Sequence, residues 1–138
     1  MTRRKPSYDA AFDPPAPVVA LRVGAPGSPA SVVLSALVDT GADGTVVPAA
    51  LARRLRLPLV DRIVVEGVGG RRVSVGVHAA SVQLSGVRCV ARVVALGSEA
   101  LVGRDLLSRL VAHLDGPALE AELRAPKRSF TPRRSAIG

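Results

Sequence analysis

The 138-residue chain contains no tryptophan, one cysteine and three other aromatic residues, Tyr8, Phe12 and Phe130. Because Cys89 is the single cysteine, an intramolecular disulfide is excluded, and nothing indicates an oxidising compartment. No apolar run approaches the length of a membrane span. The sequence therefore predicts one small domain with a core of Val, Leu and Ala side chains.

The net charge of +8 is concentrated at the two ends of the chain, since residues 1–17 and 124–138 together contribute +6. All three aromatic residues also lie in these end segments. A single-strand nucleic-acid binder of the OB type uses aromatic side chains on its sheet, and none falls between residues 18 and 123. We therefore predict no specific nucleic-acid partner. A basic barrel that binds nucleic acid is kept as an alternative. It would bind nucleic acid in a salt-dependent way even after both end segments are deleted.

Composition divides the chain into three parts: a basic, proline-rich flexible arm at 1–17, a folded domain at 18–123, and a basic tail at 124–138. The basic start is followed by prolines and aspartates where a signal peptide would carry an apolar region. We therefore expect no export, no membrane association and a cytoplasmic location.

Short β-prone runs separated by turn residues fill the domain, which predicts an all-β barrel with two short helices. The helices are predicted at Pro48–Leu57 and Arg104–Leu110. The predicted strands are Val18–Val23, Val32–Val38, Arg62–Glu66, Arg71–Gly76 extending through His78, Ala80–Leu84, Val87–Leu96, and a final hairpin of Val111–Leu114 and Leu119–Leu123.

Three motifs follow one another in this framework. The first, Leu37-Val38-Asp39-Thr40-Gly41-Ala42-Asp43, puts a carboxylate at the end of an apolar strand, directly before small residues that allow close approach. The second, Gly67-Val68-Gly69-Gly70, has the glycines of a hairpin tip between two β-prone runs. The third, Leu101-Val102-Gly103-Arg104-Asp105-Leu106-Leu107, leads from aliphatic residues through a glycine into a helical pattern.

With these motifs in this order, the chain resembles the retroviral-type (retropepsin-like) aspartic proteases over roughly residues 18–123. The resemblance implies a closed β-barrel with its active site at a homodimer interface. A two-lobed pepsin-like enzyme would need about twice the length and a second Asp-Thr/Ser-Gly, which this chain lacks. The missing carboxylate must then come from a second copy. Arginine far outnumbers lysine, which favours a GC-rich bacterial origin.

By this resemblance Asp39 is the catalytic residue, and two copies of it share one proton across the dimer axis. The ionised carboxylate takes a proton from water, and the protonated one donates to the peptide carbonyl. Thr40 would bond across the dimer axis, Gly41 would leave room for the substrate backbone, and Arg104 would brace the turn through a buried bidentate contact with Asp43.

Substrate would lie as an extended strand held largely by main-chain hydrogen bonds. The residues expected to contact it are Gly41, Ala42 and Asp43 of the turn, Gly67, Val68, Gly69 and Gly70 of a flap, and aliphatic pockets lined by Val46, Val47 and Val68. His78, His113 and Cys89 lack metal-ligand spacing, so we expect no metal and no cofactor.

The sequence therefore predicts an aspartic endopeptidase that acts on peptides or proteins as a homodimer. The alternative is a catalytically silent peptide-binding or dimerisation module with the same fold.

Overall fold

The computed structural model describes residues 8–127, which form ten strands and two short helices. A 3-10 turn lies at Val68–Gly70. The elements are β1 (Tyr8–Asp9), β2 (Ala16–Gly24), β3 (Ser31–Val38), β4 (Val46–Val47), α1 (Ala49–Arg54), β5 (Leu59–Glu66), β6 (Arg72–Leu84), β7 (Val87–Ala95), β8 (Ala100–Val102), α2 (Arg104–Leu107), β9 (Val111–Asp115) and β10 (Glu120–Arg124).

Six of the strands close into a barrel in the order β2-β3-β8-β4-β7-β6. The barrel closes because β6 pairs with β2, with Arg22 opposite Gln83 and Gly24 opposite Ser81. β1 and β5 extend this sheet beyond the closed part, and β9 and β10 form a separate two-stranded sheet. The predicted all-β closed barrel with short helices is confirmed.

The barrel interior is aliphatic, as the composition predicted. Leu21, Val23, Val47, Val93 and Val102 have no exposed surface and belong to one continuous cluster. Each such side chain contributes about 1.5–3 kcal/mol when it leaves water. The barrel is therefore stabilised by many small aliphatic contacts.

Several elements differ from their predicted bounds. β6 is one strand of 13 residues where two stretches were predicted. Its first half pairs with β5 and its second half with β7, and this pairing carries the strand past His78 without a break. Helix α1 ends at Arg54, and Arg56 then adopts a positive φ of 54°. Helix α2 is a single turn, and the predicted continuation to Leu110 is a series of turns.

The N-terminal segment is partly included in the sheet. Tyr8 and Asp9 pair with Pro17 and Ala16, and the Tyr8 N–H donates to the Leu119 carbonyl at 3.1 Å. Residues 8–17, which we predicted to belong to a flexible arm, thus include paired strands. The remainder of the arm, 1–7, and residues 128–138 of the predicted tail lie outside the described residues.

The C-terminal hairpin forms where the sequence predicted it. β10 buries Ala121 and Leu123, and Leu123 joins the barrel core. All five residues of β9 are exposed. Among residues 8–127 no helix has the length and apolar character needed to cross a bilayer.

Candidate active site

Asp39 follows the last residue of β3, a strand that pairs in parallel with β8. β3 and β8 run side by side, with Leu37 opposite Leu101 and Val38 opposite Val102. The Asp39 N–H continues this ladder by donating to the Val102 carbonyl at 3.0 Å. As a result, the turn that follows Asp39 and the turn that begins at Gly103 emerge from the same end of the barrel.

The Asp39 side chain is half-buried and hydrogen-bonded within its own turn. Its Oδ1 accepts the Gly41 N–H at 2.9 Å, and the backbone carbonyl of Asp39 accepts the Ala42 N–H at 3.2 Å. A Cβ on residue 41 would lie 3.3 Å from Asp39 Oδ1. The glycine therefore lets the backbone pass close to the carboxylate, and its N–H holds the Asp39 Oδ1 in place. This hydrogen bond by itself is also typical of an aspartate that caps a turn.

Gly103 packs directly against the backbone of the Asp39 turn. A Cβ at this position would lie 2.6 Å from the Gly44 carbonyl oxygen and 2.9 Å from the Ala42 carbonyl oxygen. The Arg104 N–H donates to the same Ala42 carbonyl at 2.9 Å. The absence of a side chain at residue 103 is thus what allows the two turns to touch.

Thr45 and Asp105 connect the Asp39 turn to the 103–105 segment by hydrogen bonds. Neither residue was predicted to belong to the site. The fully buried Thr45 hydroxyl donates to Asp105 Oδ1 at 2.8 Å and accepts the Gly103 N–H at 3.2 Å. The Thr45 N–H donates to Asp105 Oδ2 at 3.2 Å. An acidic residue in the first helical turn directly after Gly103 was the available signal, but its partner lies 60 residues away.

Arg104 reaches the turn, but not as predicted. Its Nη1 donates to the Thr40 carbonyl at 2.7 Å, and its Nη2 contacts Asp43 Oδ1 in an ion pair. The predicted buried bidentate contact is wrong in geometry: the guanidinium divides its donors between a carbonyl and a carboxylate, and the Asp43 side chain is 92% exposed. The contact still joins Arg104 to both ends of the turn.

An apolar surface lies beside Asp39. Leu101 pairs with both Leu37 and Val46, and all three are half-buried on the outward face of the sheet. Because side chains alternate along a strand, Asp39 shares this face with Leu37. Val47 lies on the opposite face and is fully buried, so its predicted place in a substrate pocket is wrong. Leu37 and Leu101 were missed.

The glycine motif at Gly67–Gly70 is the tip of the β5–β6 hairpin, as predicted. The Gly67 N–H donates to the Arg71 carbonyl at 2.8 Å, and Gly69 and Gly70 adopt positive φ angles of 83° and 76°. Val68 is fully exposed. Within residues 8–127 no hydrogen bond joins this tip to the Asp39 turn.

The histidines and the cysteine occupy separate positions on strands. His78 Nδ1 lies 2.9 Å from the Leu57 carbonyl, which it reaches as an N–H donor, and His113 is exposed on β9. Cys89 is half-buried on β7. Across the described part of the chain, no group of three His, Cys, Asp or Glu side chains could hold a metal ion.

The family described as "gag-polyprotein putative aspartyl protease" has a sequence model that matches residues 30–109. The chain belongs to this family. The match includes Asp39, Thr45, the β5–β6 hairpin and the 103–105 segment, and it excludes the C-terminal hairpin. No curated relative matches the chain.

Two solved structures are similar to the barrel. The solution structure of simian foamy virus (mac) protease has 18% identity and a TM-score of 0.50, covering 66% of this chain and 91% of that one. EIAV protease, solved with the inhibitor HBY-793, has 26% identity and a TM-score of 0.50, covering 67% of this chain and 86% of that one. Family and fold are therefore those of retropepsin-like aspartyl proteases.

Proposed function

We propose that this protein is an aspartic endopeptidase in which the Asp39 residues of two copies form the catalytic pair. The observation that carries this proposal is the Asp39 turn itself. A half-buried carboxylate is held by the Gly41 N–H on a turn that two residues of α2 brace, Asp105 through Thr45 and Arg104 through the Thr40 carbonyl. Such bracing serves catalysis, because a reacting group must be held in one geometry.

In the proposed dimer the two Asp39 carboxylates share one proton. The ionised carboxylate removes a proton from a water molecule, whose oxygen then forms a bond to the carbonyl carbon of the peptide. The protonated carboxylate donates its proton to the carbonyl oxygen. The C–N bond then breaks: the leaving nitrogen takes the proton that the first carboxylate removed from water, and one hydroxyl of the tetrahedral diol returns a proton to the second carboxylate. An acid and an amine are released without a covalent intermediate.

The surroundings of Asp39 support an extended peptide as substrate. Leu37, Val46 and Leu101 offer an apolar surface beside the carboxylate. Gly41, Ala42 and Asp43 would present main chain to the substrate, and the tip Gly67–Gly70 would close over it as a flap that excludes water. The exposed Val68 is available for that contact.

The C-terminal hairpin supports dimerisation. β9 has an unpaired outer edge within the described residues, and Val111 and Leu114 are exposed on it. An isolated two-stranded hairpin is marginally stable, and open edges attract further strands. We propose that β9 takes part in the contact between the two copies, close to β1, whose Tyr8 is bonded to Leu119.

A peptide-library digest between about pH 3 and pH 8 tests the proposal. We expect cleavage at a rate that rises with the square of enzyme concentration in dilute solution. The Asp39→Asn variant should lose at least about 10²–10⁴-fold in rate. It should keep its fold, because the Asn Oδ1 can still accept the Gly41 N–H. Asp13→Asn, which changes an exposed carboxylate, is the control and should cleave normally.

One observation favours the alternative of a silent peptide-binding or dimerisation module. Asp39 Oδ1 already has a structural use in the single chain as the acceptor for Gly41. Peptides that remain intact but bind saturably to both the wild type and Asp39→Asn would establish the module and exclude the enzyme.

A further inference from the structure

A cavity of about 420 Å³ lies between helix α1 and the base of the β5–β6 hairpin. Its walls include Ala52 and Arg53 from α1, Leu59 and Arg62 from β5, His78 from β6, and Leu96 after β7. Its volume lies in the range of about 300–1,000 Å³ that is usual for ligand sites. No residue of the Asp39 turn lines it, so it is distinct from the candidate active site.

The charges in this cavity are of one sign. Arg53 and Arg62 line it, and no Asp or Glu does. Neither guanidinium makes a hydrogen bond or an ion pair within residues 8–127. Asp61, the carboxylate next to Arg62 in sequence, is already bonded to Arg92 Nη2 at 3.1 Å. The two cations are therefore available to an external anion, and carboxylates are good partners for guanidinium groups.

The apolar part of the wall favours a ligand that carries aliphatic groups in addition to a carboxylate. Leu59 and Leu96 are 52% and 37% exposed. A ligand that covered them would remove apolar surface from water while its carboxylate met an arginine.

The adjoining strand edge indicates that the ligand is an extended peptide. β5 is the last strand of the eight-stranded sheet, and seven of its eight residues are exposed. Such an edge offers free main-chain donors and acceptors to a further strand. Side chains two positions apart on that added strand would enter the same cavity.

We propose that this cavity and the β5 edge bind an acidic peptide segment in which an aliphatic residue and a carboxylate lie two positions apart. The site goes beyond the proposed peptidase function and does not depend on it, because binding requires no turnover. One wall of the cavity is the base of the hairpin that carries Gly67–Gly70. Occupancy would therefore act directly on the position of that hairpin.

Fluorescence anisotropy with the Asp39→Asn protein tests the proposal without interference from cleavage. The probe is a fluorescein-labelled peptide, Leu-Ser-Glu-Ser-Leu-Ser-Glu, and its partner probe carries Gln in place of both Glu residues. We expect saturable binding of the acidic probe and binding of the Gln probe at least about tenfold weaker. Equal binding of the two probes, or no saturation by the acidic probe below about 1 mM, overturns the proposal.

Two double variants locate the site. Arg53→Gln with Arg62→Gln should weaken binding by about tenfold or more, since both arginines line the cavity. Arg54→Gln with Arg88→Gln removes the same charge from exposed positions outside the cavity and should change binding by less than about twofold. Equal losses in the two double variants would mean attraction to overall charge only, and the proposal would be wrong.

Amide chemical shifts give an independent location. Shifts centred on residues 49–54, 59–62 and 74–78 support the cavity, whereas shifts confined to 39–45 and 67–70 put the peptide at the candidate active site and overturn it. A wild-type protein that cleaves no peptide would contradict the proposed function and leave these binding results unchanged.

Discussion

The Asp39 turn and the Gly67–Gly70 hairpin tip are both glycine-containing loops, yet the chain supports them very differently. The Asp39 turn is bonded to the 103–105 segment through Thr45, Arg104 and the Ala42 carbonyl. The hairpin tip has its own turn bond from Gly67 to Arg71, and Val68 at its end is fully exposed.

This difference matches the different work proposed for the two loops. A catalytic carboxylate needs a fixed position, and the hydrogen bonds between the buried Thr45 and Asp105 supply it. A flap must open and close, and a segment with few buried contacts has a low free energy of local opening. Matched substitutions in the two regions test whether the structural contrast is also an energetic one.

The largest expected effect is that of Gly103→Ala. The new Cβ would lie 2.6 Å from the Gly44 carbonyl oxygen, and hydrogen bonds on both sides restrict relaxation of that backbone. We expect the free energy of unfolding to fall by about 3 kcal/mol, as measured by chemical denaturation. Gly67→Ala is the matched change in the hairpin. It meets no atom within 4 Å at an ordinary φ of −101°, and its cost should stay below about 0.5 kcal/mol. Similar losses in both variants would break the comparison.

A smaller effect is expected for Thr45→Val, which keeps the shape of the side chain and removes its hydroxyl. The Gly103 N–H and Asp105 Oδ1 would each lose a buried partner. The free energy of unfolding should fall by about 2 kcal/mol in the same measurement. Ser74→Ala removes an exposed hydroxyl from the hairpin, where it makes no hydrogen bond with another described residue, and should be nearly neutral. A neutral Thr45→Val variant would show that the buried hydrogen bonds do not stabilise the turn.

The smallest effect is expected for Arg104→Gln. Its contacts with Thr40 and Asp43 are exposed, so solvent weakens them, and the loss in unfolding free energy should be about 0.5 kcal/mol. Arg72→Gln, which removes a hairpin arginine without an ion pair within the described residues, should cost less than this. A loss several times larger for Arg104 would indicate that the turn depends on this residue more than its exposure suggests.

Local patterns were sufficient to predict most of the fold. Alternating apolar residues and turn-forming glycines and prolines placed seven of the ten described strands, both helices and the C-terminal hairpin, whereas β1, β4 and β8 were not predicted. These patterns also failed between His78 and Ala80, where two stretches were predicted and β6 is continuous, because β5 pairs with its first half and β7 with its second.

The site was predicted less completely. Asp39, Gly41 and the hairpin glycines could be found from short motifs, but the faces of β4 could not. Val46 and Val47 are both apolar neighbours, and only the register of β4 against β8 shows that Val46 lies beside Leu101 while Val47 enters the core. The roles of these residues in catalysis remain our proposal.

By itself the sequence determined most of the segments that become strands, where the chain turns, and which carboxylate follows an apolar strand, because these depend on neighbouring residues and backbone sterics. Only the tertiary structure decided that Asp105 holds Thr45 and that Arg104 divides its donors between Thr40 and Asp43. These partners lie 60 to 64 residues apart in the chain. Barrel closure brings β3 and β8 together, and side-chain geometry at that junction then selects the partners.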